Sequence, residues 1–241
     1  MEYYYTTGDG TTRGPATVEE LRAHGTLTDD TDRLVREIVR ARLAFLVTGG
    51  TGSGKTTLLG AGLGLVDPRE RLLFVEDAPE LRTTHSHVVR LSARPPNVEG
   101  AGEVSLRDLV RQALRMRPDR LVVGEVRGAE VVELLMALNT GHAGSAGTVH
   151  ANSPAEVPAR LEALGALGGL NRHAVHSQAI AALQVVLHLA RRPDGRRVLA
   201  QLAVFRAVGG FARVVPAWRH DTGPAEGWQE LEALLSGGDQ P

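Results

Sequence analysis

Between Gly49 and Thr56 the chain reads Gly-Gly-Thr-Gly-Ser-Gly-Lys-Thr, a G-x-x-x-x-G-K-T spacing that restricts what the neighbouring segments can become. Such a loop works only between a buried strand and a helix. The apolar run 43–47 supplies the expected strand, and the apolar-rich stretch 55–66 the expected helix. Glycines let the backbone curl until consecutive N–H groups converge on phosphate oxygens. A helix N-terminus near Lys55 adds partial positive charge at the same point. Gly49, Gly50, Thr51, Gly52, Ser53, Gly54, Lys55, Thr56 and Thr57 are therefore the expected cradle for the phosphates of ATP. Lys55 is expected to reach the β- and γ-phosphates, and Thr56 to turn its hydroxyl to Mg2+.

Composition sharpens this reading. Of 27 basic residues only Lys55 is a lysine, the rest being arginines. A chain committed to arginine has kept one compact ammonium where a planar guanidinium fits poorly among phosphates. A glycine-rich turn with a stray lysine is the plain alternative. The net charge of −1 argues against a dedicated nucleic-acid binder. With no cysteine in the chain, disulfides and thiolate zinc sites are excluded. No apolar run approaches the roughly 20 residues that span a bilayer, and the first residues lack a signal-peptide layout. A soluble, cytoplasmic protein is expected.

Thr17 with Glu20 fits a capping box opening a short helix that ends near Gly25, and residues from Thr28 suit a second helix. After the loop helix, which carries Gly60, Gly62 and Gly64, strands are expected at 71–77, 87–91, 120–126 and 148–150. Helices are expected at 105–116, 129–139, 155–164 and 172–183. Residues 185–189 and 198–205 flank Pro193-Asp194-Gly195, a hairpin signal, with a further strand at 211–218 and a helix at 226–235. The alternation predicts an α/β fold: a mostly parallel sheet with helices on both faces and a small C-terminal hairpin and helical appendage. We divide the chain into a lead-in or linker (1–27), a core (28–190) and a C-terminal hairpin and tail (191–241).

In such folds ligands sit beyond the carboxyl ends of the strands, where Glu76, Asp77 and Glu125 also fall. Glu125 is expected to hold Mg2+ through water or to orient an attacking water, with capping as its plain alternative. Gly124 stands where an acid pair often begins, so Glu125 either acts alone or shares the work with Glu76. Asp77 and Glu80 are further candidates, or merely solvated loop acids. Arg127 is the arginine expected to meet developing phosphate charge; Arg115, Arg117 and Arg120 read as ordinary surface residues. His142 and His150 flank a glycine-rich turn and read either as structural histidines or as a γ-phosphate sensor or intersubunit contact.

Four blocks in this order resemble those of the secretion-superfamily ATPases. They are the phosphate loop, Phe74-Val75-Glu76-Asp77-Ala78-Pro79-Glu80-Leu81, the stretch 116–127, and the histidine-containing stretch 140–154. Arg-Pro-Asp-Arg at 117–120 and Thr-Gly-His-Ala-Gly-Ser at 140–145 are most similar to the tight-adherence (Tad/CpaF-type) pilus ATPases. The resemblance implies a RecA-like P-loop core and a homo-oligomer, a hexameric ring, at the cytoplasmic face of the inner membrane. It further implies that ATP hydrolysis drives a membrane platform protein that assembles pilin. Relatives usually carry a sizeable N-terminal domain, whereas about 40 residues precede the loop here. The resemblance therefore implies either a separate chain supplying that domain or a truncated form with weak hydrolysis. A ring component that binds ATP without driving transport is the competing reading, and a nucleic-acid motor is a third.

Overall fold

The structure, a computed structural model, describes residues 14–237 and the backbone of two short paired strands before them, β1 (Tyr5–Thr6) and β2 (Thr12–Arg13). The first part of the lead-in or linker expected over 1–27 and the extreme C-terminus thus lie largely outside the described residues. Helix α1 (Val18–Ala23) opens with the predicted capping box, Thr17 and Glu20 bonding each other's backbone N–H groups. Helix α2 (Asp29–Arg40) follows, with Leu34, Val35, Ile38 and Val39 on its buried face.

Strand β3 (Phe45–Gly49) leads into the loop, and α3 (Lys55–Leu63) leaves it. Then come β4 (Leu72–Glu76), β5 (Val88–Ser92), α4 (Leu106–Arg115), β6 (Arg120–Val123), α5 (Val131–Asn139) and β7 (Ala146–Val149). After α6 (Val157–Leu167) and α7 (Arg172–Ala182), the chain ends in β8 (Val185–Arg191), β9 (Arg197–Val208), β10 (Phe211–Arg219), β11 (Gly223–Pro224) and α8 (Trp228–Gly237).

Nine strands form one sheet in the order β11-β10-β9-β8-β3-β7-β6-β4-β5. The pairings from β8 through β3, β7, β6 and β4 to β5 are parallel, so the loops after these strands gather at one end. Strand β9 pairs antiparallel with β8 and with β10, and β10 pairs antiparallel with β11. Period-two alternation divides the core between the two faces. Phe45, Val47, Leu72, Phe74, Val122 and Leu187 pack with α1, α2, α3 and α8. Leu46, Leu73, Val75, Leu121, Val123 and Val186 pack with α4, α5, α6 and α7 on the other face.

Two boundaries look different in three dimensions. The division expected after residue 190 runs through β8, and the C-terminal hairpin continues the core sheet edge to edge. The expected linker contributes Val18, Leu21 and Leu27 to the core under α3.

Arg120, expected at the surface, is only 2% exposed. Its guanidinium donates to both carboxylate oxygens of Glu70, at 2.8 and 3.0 Å, and to the Val39 carbonyl at 3.1 Å. Arg42 shares the same Glu70 carboxylate at 2.6 Å. A Cβ at Gly144 would come within 2.6 Å of Arg120 Nη1, so the glycine there makes room for this node. The node lies at the amino-terminal ends of the parallel strands, opposite the glycine loop. The Arg-Pro-Asp-Arg stretch is in this respect architectural.

The glycines of α3 differ in kind. A Cβ at Gly60 would fall 1.9 Å from the Arg82 carbonyl oxygen, whereas one at Gly62 would meet only Val35 and Val39 at 3.9 and 4.0 Å. Gly60→Ala should therefore destabilise by about 1–3 kcal/mol through overpacking, and Gly62→Ala should stabilise by up to about 1 kcal/mol through helix propensity. Urea unfolding of the two variants reads this difference, and equal shifts of the same sign would contradict it.

Candidate functional site

The loop adopts the conformation its glycines permit. Gly49, Gly52 and Gly54 have φ of 144°, 71° and 97°, a region L-residues rarely enter. Gly54 is the N-cap of α3 and provides no side-chain cap, which leaves the first amides of the helix directed into the loop. Ser53 is buried and its hydroxyl has no hydrogen-bond partner among the described residues. Lys55, also buried, donates to the Gly49 and Gly50 carbonyls at 3.2 and 3.3 Å. Burial pushes its ammonium below the usual lysine range, against the raising influence of Glu125. Thr51 and Thr57 are exposed beside the loop, and Thr56 turns toward the acids.

A cleft beside the loop is lined by Thr56, Glu76, Asp77, Glu80, Gly124, Glu125 and Arg127. Glu125, just past β6, has His150 Nε2 at 2.8 Å from one carboxylate oxygen and accepts from Arg127 Nη2 on the other. Burial opposes its ionisation, but Arg127, His150 and Lys55 together hold it below the ordinary carboxylate range. Arg127 also lies 3.7 Å from Asp77, which like Glu80 is exposed at the mouth of the cleft. The two ring nitrogens of His150 are 3.4 and 3.5 Å from Lys55 Nζ, so this histidine bridges the lysine and the acid. Burial, and then the Lys55 charge, depress its pKa.

Glu76, at the end of β4, is 3% exposed. One carboxylate oxygen accepts from the Glu80 and Leu81 amides at 3.0 and 2.7 Å, and the other meets Arg90 at 3.2 Å. Burial nevertheless pushes its pKa up. A Cβ on Gly124 would sit 2.8 Å from Glu76 Cγ. The missing first member of an acid pair on β6 is thus replaced in space by a carboxylate from the neighbouring strand.

Of the candidate residues, His142 alone is placed away from this cleft. It precedes β7, at the amino-terminal end of the sheet, and its Nδ1 lies 3.1 Å from the Ala137 carbonyl at the end of α5. The two histidines are separated by the whole of β7, so flanking one turn in sequence put them at opposite ends of a strand. Residues that sequence reasoning passed over include Arg90, the partner of Glu76, and buried His188. His188 Nδ1 shares a hydrogen bond of 2.8 Å with the Thr48 hydroxyl on β3. The only sequence signal for either was a polar residue inside an apolar strand.

The donor set fits a nucleoside triphosphate with a hard divalent cation: loop amides, one ammonium, the Thr56 hydroxyl and carboxylates at hand. Mg2+ keeps much of its water shell and needs few protein ligands. The fold and the phosphate loop define a P-loop protein with a RecA-like core.

Comparison with known proteins narrows the class. Residues 12–210 match the family described as type II/IV secretion system protein, and the chain belongs to that family. It is 61% identical over 223 residues to a putative conjugal transfer protein of Mycobacterium tuberculosis, covering 92% of this chain and 63% of that protein. A probable conjugal transfer protein, TrbB, of Sinorhizobium fredii is 33% identical over 189 residues, covering 77% of this chain and 55% of that one. The VirB11 ATPase of the Brucella suis type IV secretion system, crystallised with sulphate, shares the fold with a TM-score of 0.63 and 24% identity, over 91% of this chain and 57% of that one. The chain thus spans less than two thirds of the length of these relatives. No helix among the described residues is long and apolar enough to cross a membrane.

Buried His188 and half-buried His150 set a pH dependence. Burial lowers the pKa of both His150 and His188 below 6.5 in the folded chain. The unfolded chain therefore binds more protons as pH falls through about 6.5, and acidification favours unfolding. The urea midpoint is expected to drop between about pH 7 and pH 5, with a shallower drop in His188→Gln. An identical pH profile for that variant would remove His188 from the account.

Proposed function

We propose that the chain binds ATP with Mg2+ and hydrolyses it as the motor subunit of a pilus-assembly or protein-secretion system of the tight-adherence or type II/IV secretion kind. The observation that carries this reading is the convergence of Lys55, Thr56, Glu125 and Glu76 on one cleft at the mouth of the phosphate loop.

The roles follow from chemistry. The loop amides and Lys55 hold the polyphosphate and neutralise its charge. Mg2+, when bound, supplies further positive charge to the reacting phosphate, with Thr56 as the residue that holds it and Glu125 acting through water. Glu125 remains ionised and orients the attacking water; His150 keeps it in place beside Lys55. Glu76, with its raised pKa and fixed geometry, is suited to accept a proton or to share in ordering that water. Arg127, held at Glu125 and exposed toward solvent, is placed to meet charge at the reacting phosphate or to answer a neighbouring subunit.

In this proposal the chain forms a homo-oligomeric ring, a hexamer, at the cytoplasmic face of the inner membrane. It acts on a membrane platform protein, with a separate N-terminal domain as a further candidate partner. The exposed charges at the cleft mouth, Asp77, Glu80 and Arg127, support an intersubunit nucleotide site. The net charge of −1 supports no specific nucleic-acid partner.

Lys55→Ala is expected to abolish nucleotide binding in a folded chain, measured by calorimetry alongside circular dichroism. Glu125→Gln should retain bound ATP while slowing hydrolysis by about 10²-fold or more, the scale of a lost acid–base group. A near-silent Glu125→Gln beside a crippled Glu76→Gln would exchange the two roles. Nucleotide binding without turnover in the unmodified chain would favour the ring component that does not drive transport. For the ring, light scattering should show the particle mass rising with a non-hydrolysable ATP analogue. A monomer under all conditions with full ATPase activity would refute an intersubunit site.

A further inference from the structure

The turn between β8 and β9 carries four arginines, Arg191, Arg192, Arg196 and Arg197. Three of them are engaged locally. Arg192 pairs with Asp221, Arg196 pairs with Asp194 at 2.7 Å, and Arg191 Nε faces the Gly195 carbonyl at 3.4 Å. Arg197 is different. Its Nε donates to the Gly52 carbonyl of the phosphate loop at 2.9 Å, and no acidic partner is found for it among the described residues.

Strand register accounts for this reach. Gly49, the last residue of β3, pairs with Leu189 on β8, and Leu189 pairs with Leu199 on β9. The hairpin therefore outruns β3 by two residues on each strand, to the Arg191–Arg197 pair, or about 6–7 Å. That overhang brings β9 level with the loop. Residues two apart share a face of a strand, and Leu199 packs on the face that holds α3. Arg197 consequently points toward the N-terminus of α3, and a Cβ on Gly54 would come 3.3 Å from its Cδ.

The loop is thus flanked on two sides by different chemistry. Glu76, Glu125 and His150 come from β4, β6 and β7, on one side of β3; Arg197 comes by way of β8 from the other. A polyphosphate lying in the loop with its reacting end toward the acids presents its nucleoside end, with the α- and β-phosphates, toward β8 and β9. With Nε fixed by Gly52, the two Nη groups of Arg197 remain available, and a guanidinium matches phosphate oxygens in geometry and charge.

We infer that Arg197 is a further nucleotide-binding residue, which fixes the Gly52 peptide through Nε and offers its outer edge to the α/β-phosphate end of the bound nucleotide. The inference rests on the nucleotide site proposed above. Because that end is common to ATP and ADP, Arg197 governs affinity for both.

Titration of the full chain with fluorescent ADP and with a non-hydrolysable ATP analogue tests it. Arg197→Ala and Arg197→Gln are expected to weaken both ligands by about tenfold, a typical effect for one charge-assisted contact. Gln can still donate to Gly52 but carries no charge, so restoration of full affinity by Gln alone would reduce Arg197 to a loop-positioning residue and overturn the phosphate contact. Arg196→Gln, whose parent residue pairs with Asp194, should bind as the unmodified chain does. Binding that is lost in Lys55→Ala yet unchanged in both Arg197 variants would overturn this inference alone. Absence of binding by the unmodified chain would overturn the nucleotide site itself, and this inference with it.

Discussion

At Gly49 two segments of the chain close on one α-carbon. A Cβ there would lie 2.4 Å from the Leu189 carbonyl oxygen and 2.6 Å from the Ser53 hydroxyl, at a φ that an L-residue rarely adopts. Strand β8 and the returning loop both press on the same α-carbon. This contact sets how far β8 travels beyond the end of β3, and through β8 it places the β9 hairpin. It also fixes where the loop begins its curl, and so where α3 aims its N-terminus. Parallel pairing on the other side of β3 then brings the ends of β7, β6 and β4 to the same level.

Electrostatics in the cleft is a balance among groups that would each be costly alone. Burying an ammonium disfavours its charge, and Glu125 restores part of it. Burying a carboxylate at Glu76 is offset by two amides and Arg90, though not fully. The contrast between a carboxylate kept ionised and another pushed toward its protonated form arises on adjacent strands, over a glycine that provides the space. Two similar side chains acquire different chemistry from their surroundings alone.

Much of this was legible in the chain itself. The phosphate loop with its strand and helix, the acids at strand ends and the α1 capping box all announce themselves through local spacing, because local backbone geometry dictates them. What stayed hidden depends on contacts between distant segments. Gly60 and Gly124 are glycines for the sake of Arg82 and Glu76, neither of which is near them in sequence. Arg120 looked like surface because arginine usually is, yet Glu70 and the Val39 carbonyl hold it inside. The hairpin read as an appendage because its turn is local, while its pairing with the core runs through β8 and β3. His142 and His150 looked alike until the direction of β7 separated them.

The phosphate loop also concentrates the chain's amine chemistry. The chain's single lysine lies buried inside the phosphate loop, with its basicity reduced by that burial. On most proteins amine chemistry is scattered over a surface full of lysines; here, chain termini apart, it is confined to one nitrogen. Acylating reagents, amine cross-linkers and immobilisation resins therefore have a single side-chain target, and it is the one group whose loss empties the loop of its compact charge. Arginine-rich composition has made the rest of the surface inert to that chemistry, and has left the centre of the molecule as its only point of attack.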